Sequence, residues 1–497
     1  MSAGAAGRLD DAPARERIRT DLDSNLLVEA GAGSGKTTAL VDRMLQLVVV
    51  KGARIDQLAA VTFTRKAAGE LRQRFQERLE AALAAPATPD EARARLSAAL
   101  RGIDSAFMGT IHAFCAKLLR ERPLDARLDP AFRELTAPEE RTLARRFWDQ
   151  HLERLVTEGQ DGGVLARLDA VGLQPSRLFE HFRAMNEASD IDFPVPEAPL
   201  PDPMALARVR KEMEAIVDDA LPGIPRVRPE RDWDSTQKRI RRIAYRRAAL
   251  DFDRTVDLME AVQELCSSAT AKATYKRWDY DSGRVKEIQA RIDALIAVTP
   301  EHPDPPARKL VSAWQAHRYG PVMELVRGAA QAFARHRRRS GQLTFHDLLV
   351  LARDLLCGSP SARRSLGERW RYLLVDEFQD TDPLQAELLF LLASEPDGDG
   401  GAERAWAQLT PRPGALFVVG DPKQSIYRFR RADIALYGRV RVRFAEFGAV
   451  VALTANFRST PPIEAIVDGV FAPDATTAPG LFPGEATDVQ AGYAPLD

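Results

Sequence analysis

At 497 residues the chain exceeds what one ordinary core accommodates, so two or more packed units are expected. Hydrophobic residues make up 45% and charged residues 28%, and Lys plus Arg (70) nearly cancel Asp plus Glu (71) to leave a net charge of -1, so any nucleic-acid surface has to be local. No apolar run nears the roughly 18 residues of a membrane span, residues 1–21 lack the apolar core of a secretory signal, and Cys115, Cys266 and Cys357 stand too far apart in sequence for a disulfide framework or a close-spaced metal cluster; a cytoplasmic location is expected.

The first organised text is NLLVEA (25–30), a short apolar run that predicts a buried strand, followed by a GAGSG loop (31–35) and an apolar-periodic helix from Lys36. AGAGSGKT (30–37) has the Walker A form, with Ala30 where glycine is commoner. In that form Ala30, Gly31, Ala32, Gly33, Ser34 and Gly35 bring backbone N–H groups to phosphate oxygens. Lys36 reaches the terminal phosphates and the Thr37 hydroxyl ligates magnesium. The helix that follows adds its positive N-terminal end, and Thr38 and Arg43 on it are counted with the nucleotide contacts. LAAVTFT (58–64) predicts a second strand, and 65–85 an amphipathic helix.

From about residue 123 to 340 the text changes to long charged helices with proline-rich breaks at 192–203 and 300–306, which predicts a helical insertion. Within it, residues 226–250 are strongly basic and include Trp233 and Tyr245. That segment is either a solvated helix face or a phosphate-backbone contact. Strand-like text returns at 372–378, 415–421 and 450–457, so a sheet begun near residue 26 is completed more than 300 residues later. The expected division is 1–122 and 341–461 for a discontinuous α/β domain, 123–340 for the inserted helical one, and 462–497 for a further segment. After Pro461 the composition is rich in Pro, Gly, Ala and Thr and lacks the pattern of a completed second core. LLVDE ends an apolar strand in Asp376 and Glu377, the carboxylate pair that a phosphate loop needs: Asp376 for magnesium, through its water shell, and Glu377 to activate water.

The strings GAGSGKTT (31–38), VTFTRKAAGELRQR (61–74), GTIHAFC (109–115), VDEFQDTD (375–382), VVGDPKQSIYRFRRAD (418–433) and LTANFRST (453–460) resemble, in order and content, the motifs of UvrD/Rep superfamily-1 DNA helicases. GTIHAFCAKLLRERPL and LTFHDLL (343–349) are more similar to the RecB/AddA helicase-nuclease branch. The resemblance implies a P-loop, RecA-like parallel sheet flanked by helices, with a large helical insertion and with a second RecA-like domain essentially missing before residue 497. It implies ATP and Mg2+ as cofactors and DNA, single-stranded or with a 3′ single-strand tail, as partner. A second helicase-nuclease subunit or a separate polypeptide carrying the other motor half is a further implied partner.

Residue by residue, the resemblance implies that Phe63 stacks on a base while Thr64 and Arg65 lie near phosphates, a sequence-tolerant mode suited to translocation. His112 carries over as a single-strand contact, and Tyr427 and Phe429 as the aromatics of the QSIYRFRRAD motif, Phe429 at the position of the family's base-stacking ring. Gln424 is the residue that senses the γ-phosphate and couples it to DNA, Arg458 the arginine that stabilises transition-state charge, with Arg430 a second candidate, and Phe457 the ring beneath adenine. Two departures stand out. Ala14 occupies the place of the glutamine that reads adenine, and Arg431 that of a glycine. The competing reading is an ATP- and DNA-binding protein that does not translocate; a transporter or partition ATPase fits the phosphate loop but not VDEFQD or QSIYRFR.

Overall fold

The structure is a computed structural model that describes residues 9–157, 163–267, 273–300, 302–396, 406–428, 431–471, 487 and 490. Eight strands are present among them: β1 (Asn25–Ala30), β2 (Leu58–Thr62), β3 (Phe107–Thr110), β4 (Arg133–Glu134), β5 (Gln342–Leu343), β6 (Tyr372–Val375), β7 (Leu416–Gly420) and β8 (Gly448–Leu453). Six of them form one sheet in the order β3-β2-β6-β7-β1-β8, and every pairing in it is parallel. Parallel strands are covered by helices on both faces, which is why β2 and β7 are buried at every residue and read as unbroken apolar runs. Two apolar clusters flank the sheet, one containing Phe114, Trp370 and Phe390 and the other Met44, Phe75 and Phe417. The fold is that of a RecA-like P-loop domain.

Local chemistry sets the strand ends. β2 stops at Thr62, short of the expected 64, because the Thr64 hydroxyl accepts the Ala67 N–H and caps the helix Arg65–Ala84. β3 carried no clear strand signal in the sequence: it has four residues, lies at the sheet edge, and only Met108 in it is buried. The chain divides into two units, one of residues 1–135 and 337–497, the other Thr136–His336. The helix Ile111–Glu121 and the short helix Pro123–Ala126 belong to the first unit, whose core takes Leu118, Leu119 and Ala126, and the two-residue ladder β4·β5 closes that unit where the chain leaves and re-enters.

The helical unit holds two apolar clusters of its own. One gathers Met213, Ile240, Met259, Ile288 and Trp314, and the other Trp148, Phe182 and Phe333. No helix among the described residues is long and apolar enough to cross a membrane.

Candidate nucleotide site and its surroundings

The phosphate loop begins where β1 ends. Ala30 is the last residue of that strand, 2% exposed and in register with Leu453 of β8. Gly33 and Gly35 then take φ of 81° and 86°, a region that side chains rarely adopt, and Ser34 Oγ donates to the Gly31 carbonyl at 2.8 Å. Gly35 is the N-cap of the helix Lys36–Val49, whose first N–H groups face the loop without intrahelical partners. Gly33 has a second reason to be glycine: a Cβ there would stand 2.2 Å from Asn456 Oδ1 and 2.6 Å from Arg458 Cβ. The Phe457 N–H donates to the Gly33 carbonyl at 3.0 Å, so the loop after β8 rests directly on the phosphate loop.

Asp376 and Glu377 follow β6. The Asp376 N–H bonds the Val61 carbonyl at 2.9 Å, and Glu377 turns the chain out of the strand with φ 54°, unusual for a residue with a side chain. That turn aims its carboxylate at the phosphate loop: Lys36 Nζ stands 3.0 Å from Glu377 Oε2. Burial and the neighbouring Glu377 charge push the Asp376 carboxyl up to about 6, against the pull of Lys36. The same causes push Asp380 up to about 6, and its Oδ1 is buried without a hydrogen-bond partner among the described residues.

Sequence reasoning passed over two residues here. Gln379, 3% exposed, donates through Nε2 to Glu377 Oε2 at 2.7 Å and accepts the Asp421 N–H on Oε1 at 2.9 Å. Arg15 bonds Asp11 with two nitrogens (2.8 and 2.7 Å), donates to the Ser34 carbonyl at 3.0 Å, and holds its guanidinium carbon 5.1 Å from the centre of the Phe457 ring. Asp11 in turn accepts the Ala455 N–H at 3.2 Å, so one ion pair ties the N-terminal helix, the phosphate loop and the loop after β8 together. The i,i+4 spacing of Asp11 and Arg15 around Ala14 was the available signal.

The remaining expected site residues fall as follows. Phe457 is 62% exposed, and the Arg458 guanidinium makes no hydrogen bond or ion pair among the described residues. Gln424 donates to Asp421 Oδ2 at 2.7 Å. Ala32 and Thr38 are exposed, and Thr37 is half-buried with no side-chain hydrogen bond among the described residues. Phe63 and Tyr427 come together, ring centres 4.9 Å apart, with Thr64 and Arg65 exposed beside Phe63. His112 packs edge-on against Phe345 at 5.3 Å, and burial, with His346 nearby, pushes it down to about 4; it is neutral at physiological pH and brings no charge to a phosphate. Phe429 and Arg430 lie outside the described residues. Arg431 has φ 68°, so the position where the resembling family has glycine does take the left-handed conformation that favours glycine.

Arg43 is a correction. It is 1% exposed, donates to the Ile18, Asp21 and Ser24 carbonyls at 2.8 to 3.0 Å and lies on the Phe417 ring, so it pins the N-terminal helix to the sheet and faces no nucleotide. In the basic segment, Arg242 and Arg246 pair with Glu264, Arg247 with Asp218, and Lys238 with Asp232, which fits the solvated helix face better than a free phosphate-binding surface.

Magnesium fits the oxygen donors at the strand ends. A hard dication is served by one or two protein oxygens plus water and phosphate: Thr37 Oγ1 would be such an oxygen, with the Asp376 carboxylate holding the water shell. No group of three or more metal-ligating side chains occurs among the described residues, so most of the shell would come from phosphate and water.

A glycine loop between β1 and a helix, with a carboxylate pair after β6 within reach of its lysine, defines a P-loop protein of the RecA-like class. The profile of the UvrD/REP helicase N-terminal domain matches residues 11–445, and the chain belongs to that family. It is similar to the AddA subunit of the ATP-dependent helicase/nuclease of Lactiplantibacillus plantarum (28% identity over 92% of this chain and 39% of the relative). The corresponding proteins from Syntrophomonas wolfei (28%, over 90% and 37%) and Pediococcus pentosaceus (25%, over 90% and 37%) are similar too. The chain therefore spans well under half the length of the curated relatives it matches.

Proposed function

We propose that this chain is the ATP- and DNA-binding motor portion of an ATP-dependent 3′-to-5′ DNA helicase of the UvrD/RecB/AddA type, acting in DNA repair or recombination. The observation that carries the reading is Lys36 of the phosphate loop set 3.0 Å from Glu377 Oε2. Terminal phosphate oxygens compete with Glu377 for the Lys36 ammonium. Glu377, still held by Gln379, is then free to orient a water and take its proton while the water oxygen attacks the γ-phosphorus. The bond to the bridging oxygen breaks, leaving ADP and phosphate. Magnesium, when bound at Thr37 and through its water shell at Asp376, neutralises charge on the β- and γ-phosphates. Arg458 supplies transition-state charge, Gln424 senses the γ-phosphate, and adenine stacks on the exposed Phe457 face. Phe63 and Tyr427 form the stacking surface for single-stranded DNA, with Phe429 assigned to it from the resemblance.

The partners proposed are DNA with a 3′ single-strand tail and a second helicase-nuclease subunit or another polypeptide carrying the remaining motor half. Phosphate release measured with and without single-stranded DNA, on wild type and Glu377→Gln, tests the reading. The variant should bind ATP at least as tightly as wild type and lose hydrolysis by about 10²- to 10⁴-fold. Normal turnover in the variant refutes the role of Glu377, and a wild type that binds both ligands without hydrolysis favours the non-translocating reading.

A further inference from the structure

The Gln379 amide is committed at both ends, and its orientation follows from its partners. A backbone N–H only donates and an ionised carboxylate only accepts, so flipping the amide would set donor against donor at Asp421 and acceptor against acceptor at Glu377. Gly420 makes room for it: a Cβ there would stand 2.9 Å from Gln379 Oε1 and 3.4 Å from its backbone nitrogen. Ser425 Oγ donates to the Gln379 carbonyl at 3.2 Å, a second tie to the segment after β7.

These bonds join end to end. Lys36 Nζ meets Glu377 Oε2 at 3.0 Å, and the same oxygen accepts Gln379 Nε2 at 2.7 Å. Gln379 Oε1 holds the Asp421 N–H at 2.9 Å, and Asp421, itself 3% exposed, accepts Gln424 Nε2 at 2.7 Å and the Lys423 N–H at 3.0 Å. The loop that Gln379 anchors continues to Tyr427, whose ring lies 4.9 Å from that of Phe63. A polar chain thus runs from the phosphate-loop lysine to the segment bearing one of two paired aromatic rings.

We propose that Gln379 is the positioning residue that couples the nucleotide site to the Phe63–Tyr427 pair. It holds the Glu377 carboxylate and the Asp421–Gln424 turn in one register. Among the described residues Glu377 Oε2 has two donors, Lys36 and Gln379; when phosphate takes Lys36, the carboxylate is left to Gln379 and its movement is passed to the loop that carries Tyr427. The proposal rests on the reading that Lys36 takes phosphate and that Phe63 and Tyr427 take bases.

The test is a coupling measurement on the whole chain. The Kd of a labelled oligothymidylate is measured by fluorescence anisotropy with and without a non-hydrolysable ATP analogue and magnesium, and the Kd of the analogue by calorimetry with and without oligonucleotide. In wild type each ligand should change the affinity of the other by the same factor, about 5-fold or more. Gln379→Met, which keeps the volume and removes both bonds, should leave each separate affinity within about 2-fold of wild type while the coupling factor falls to near one. Gln379→Glu keeps the acceptor for Asp421 and sets a carboxylate against Glu377, so it should lose coupling too; it carries the test if the Met variant does not fold. A purely structural role predicts the opposite pattern, with lower Tm, weaker separate affinities and unchanged coupling. Coupling retained in a folded variant, or a wild type that binds the two ligands independently, overturns the relay alone. A wild type that binds neither ligand overturns the reading of the site and the relay with it.

Discussion

Along the helix Ser235–Ala249 of the helical unit, Arg242 and Arg246 share Glu264 at 2.9 and 3.0 Å, Arg247 bonds Asp218 at 2.6 Å, and Arg241 lies 4.0 Å from the Trp233 ring centre. At the carboxyl ends of β1, β6 and β8 the polar groups are left differently. Asp380 Oδ1 has no hydrogen-bond partner among the described residues, the Arg458 guanidinium and the Thr37 hydroxyl make no side-chain bond there, and the Asp376 carboxyl is pushed up to about 6 by burial and by Glu377. Density of charge therefore marks no function by itself in this molecule. The informative residues are those gathered at the carboxyl ends of the strands, where ligands bind in parallel α/β sheets and where Lys36 faces Glu377.

Three substitutions probe that contrast. Gly33→Ala should have the largest effect on stability, because it adds a Cβ at φ 81° and 2.2 Å from Asn456 Oδ1. A loss of about 1 to 3 kcal/mol in thermal or urea unfolding is expected, with weaker ATP binding as the loop after β8 shifts. An unchanged midpoint and affinity would mean that the two loops do not need their close approach.

Asp376→Asn tests the stored electrostatic cost through pH. With its folded value near 6 against an ordinary 3.8, the folded protein holds this proton more tightly than the unfolded chain, so the stability contribution falls as pH rises from about 4 to about 6 and is level above. The Asn variant should gain on wild type across that window by up to about 3 kcal/mol. A gap that does not change with pH would remove burial as the cause. The smallest effect is expected from Arg247→Ala in the helical unit: its pair with Asp218 is partly exposed, so about 0.5 kcal/mol or less should be lost, with oligonucleotide affinity unchanged. A large drop in oligonucleotide affinity would return the basic helix to the DNA path.

Much of the fold was legible because buried parallel strands are apolar along their whole length. YLLV and LFVVG stand out for that reason and NLLVEA for its Leu26–Val28 centre, while FMGT at the sheet edge does not. The chemistry that sits in short continuous strings was legible as well: the glycines that become left-handed at 33 and 35, and the carboxylates that end β6. What escaped were relations across the sequence. Gln379 reads as one polar residue among several until β7 brings the Asp421 N–H to it, and Arg15 gains meaning only when β8 pairs beside β1 and delivers Phe457. Arg43 is the converse case. Its place on the helix after the phosphate loop suggested a ligand contact, but that face is turned inward onto Phe417 and the carbonyls of the preceding segment.

If the sheet unit holds a nucleotide through Lys36, calorimetric titration of ATP with magnesium into wild type and Lys36→Ala will separate the two proteins. Saturable binding to wild type is expected, with an affinity for the variant lower by about 10-fold or more, the loss of a charge-assisted contact to phosphate. Equal affinity in the two proteins would contradict that role of Lys36.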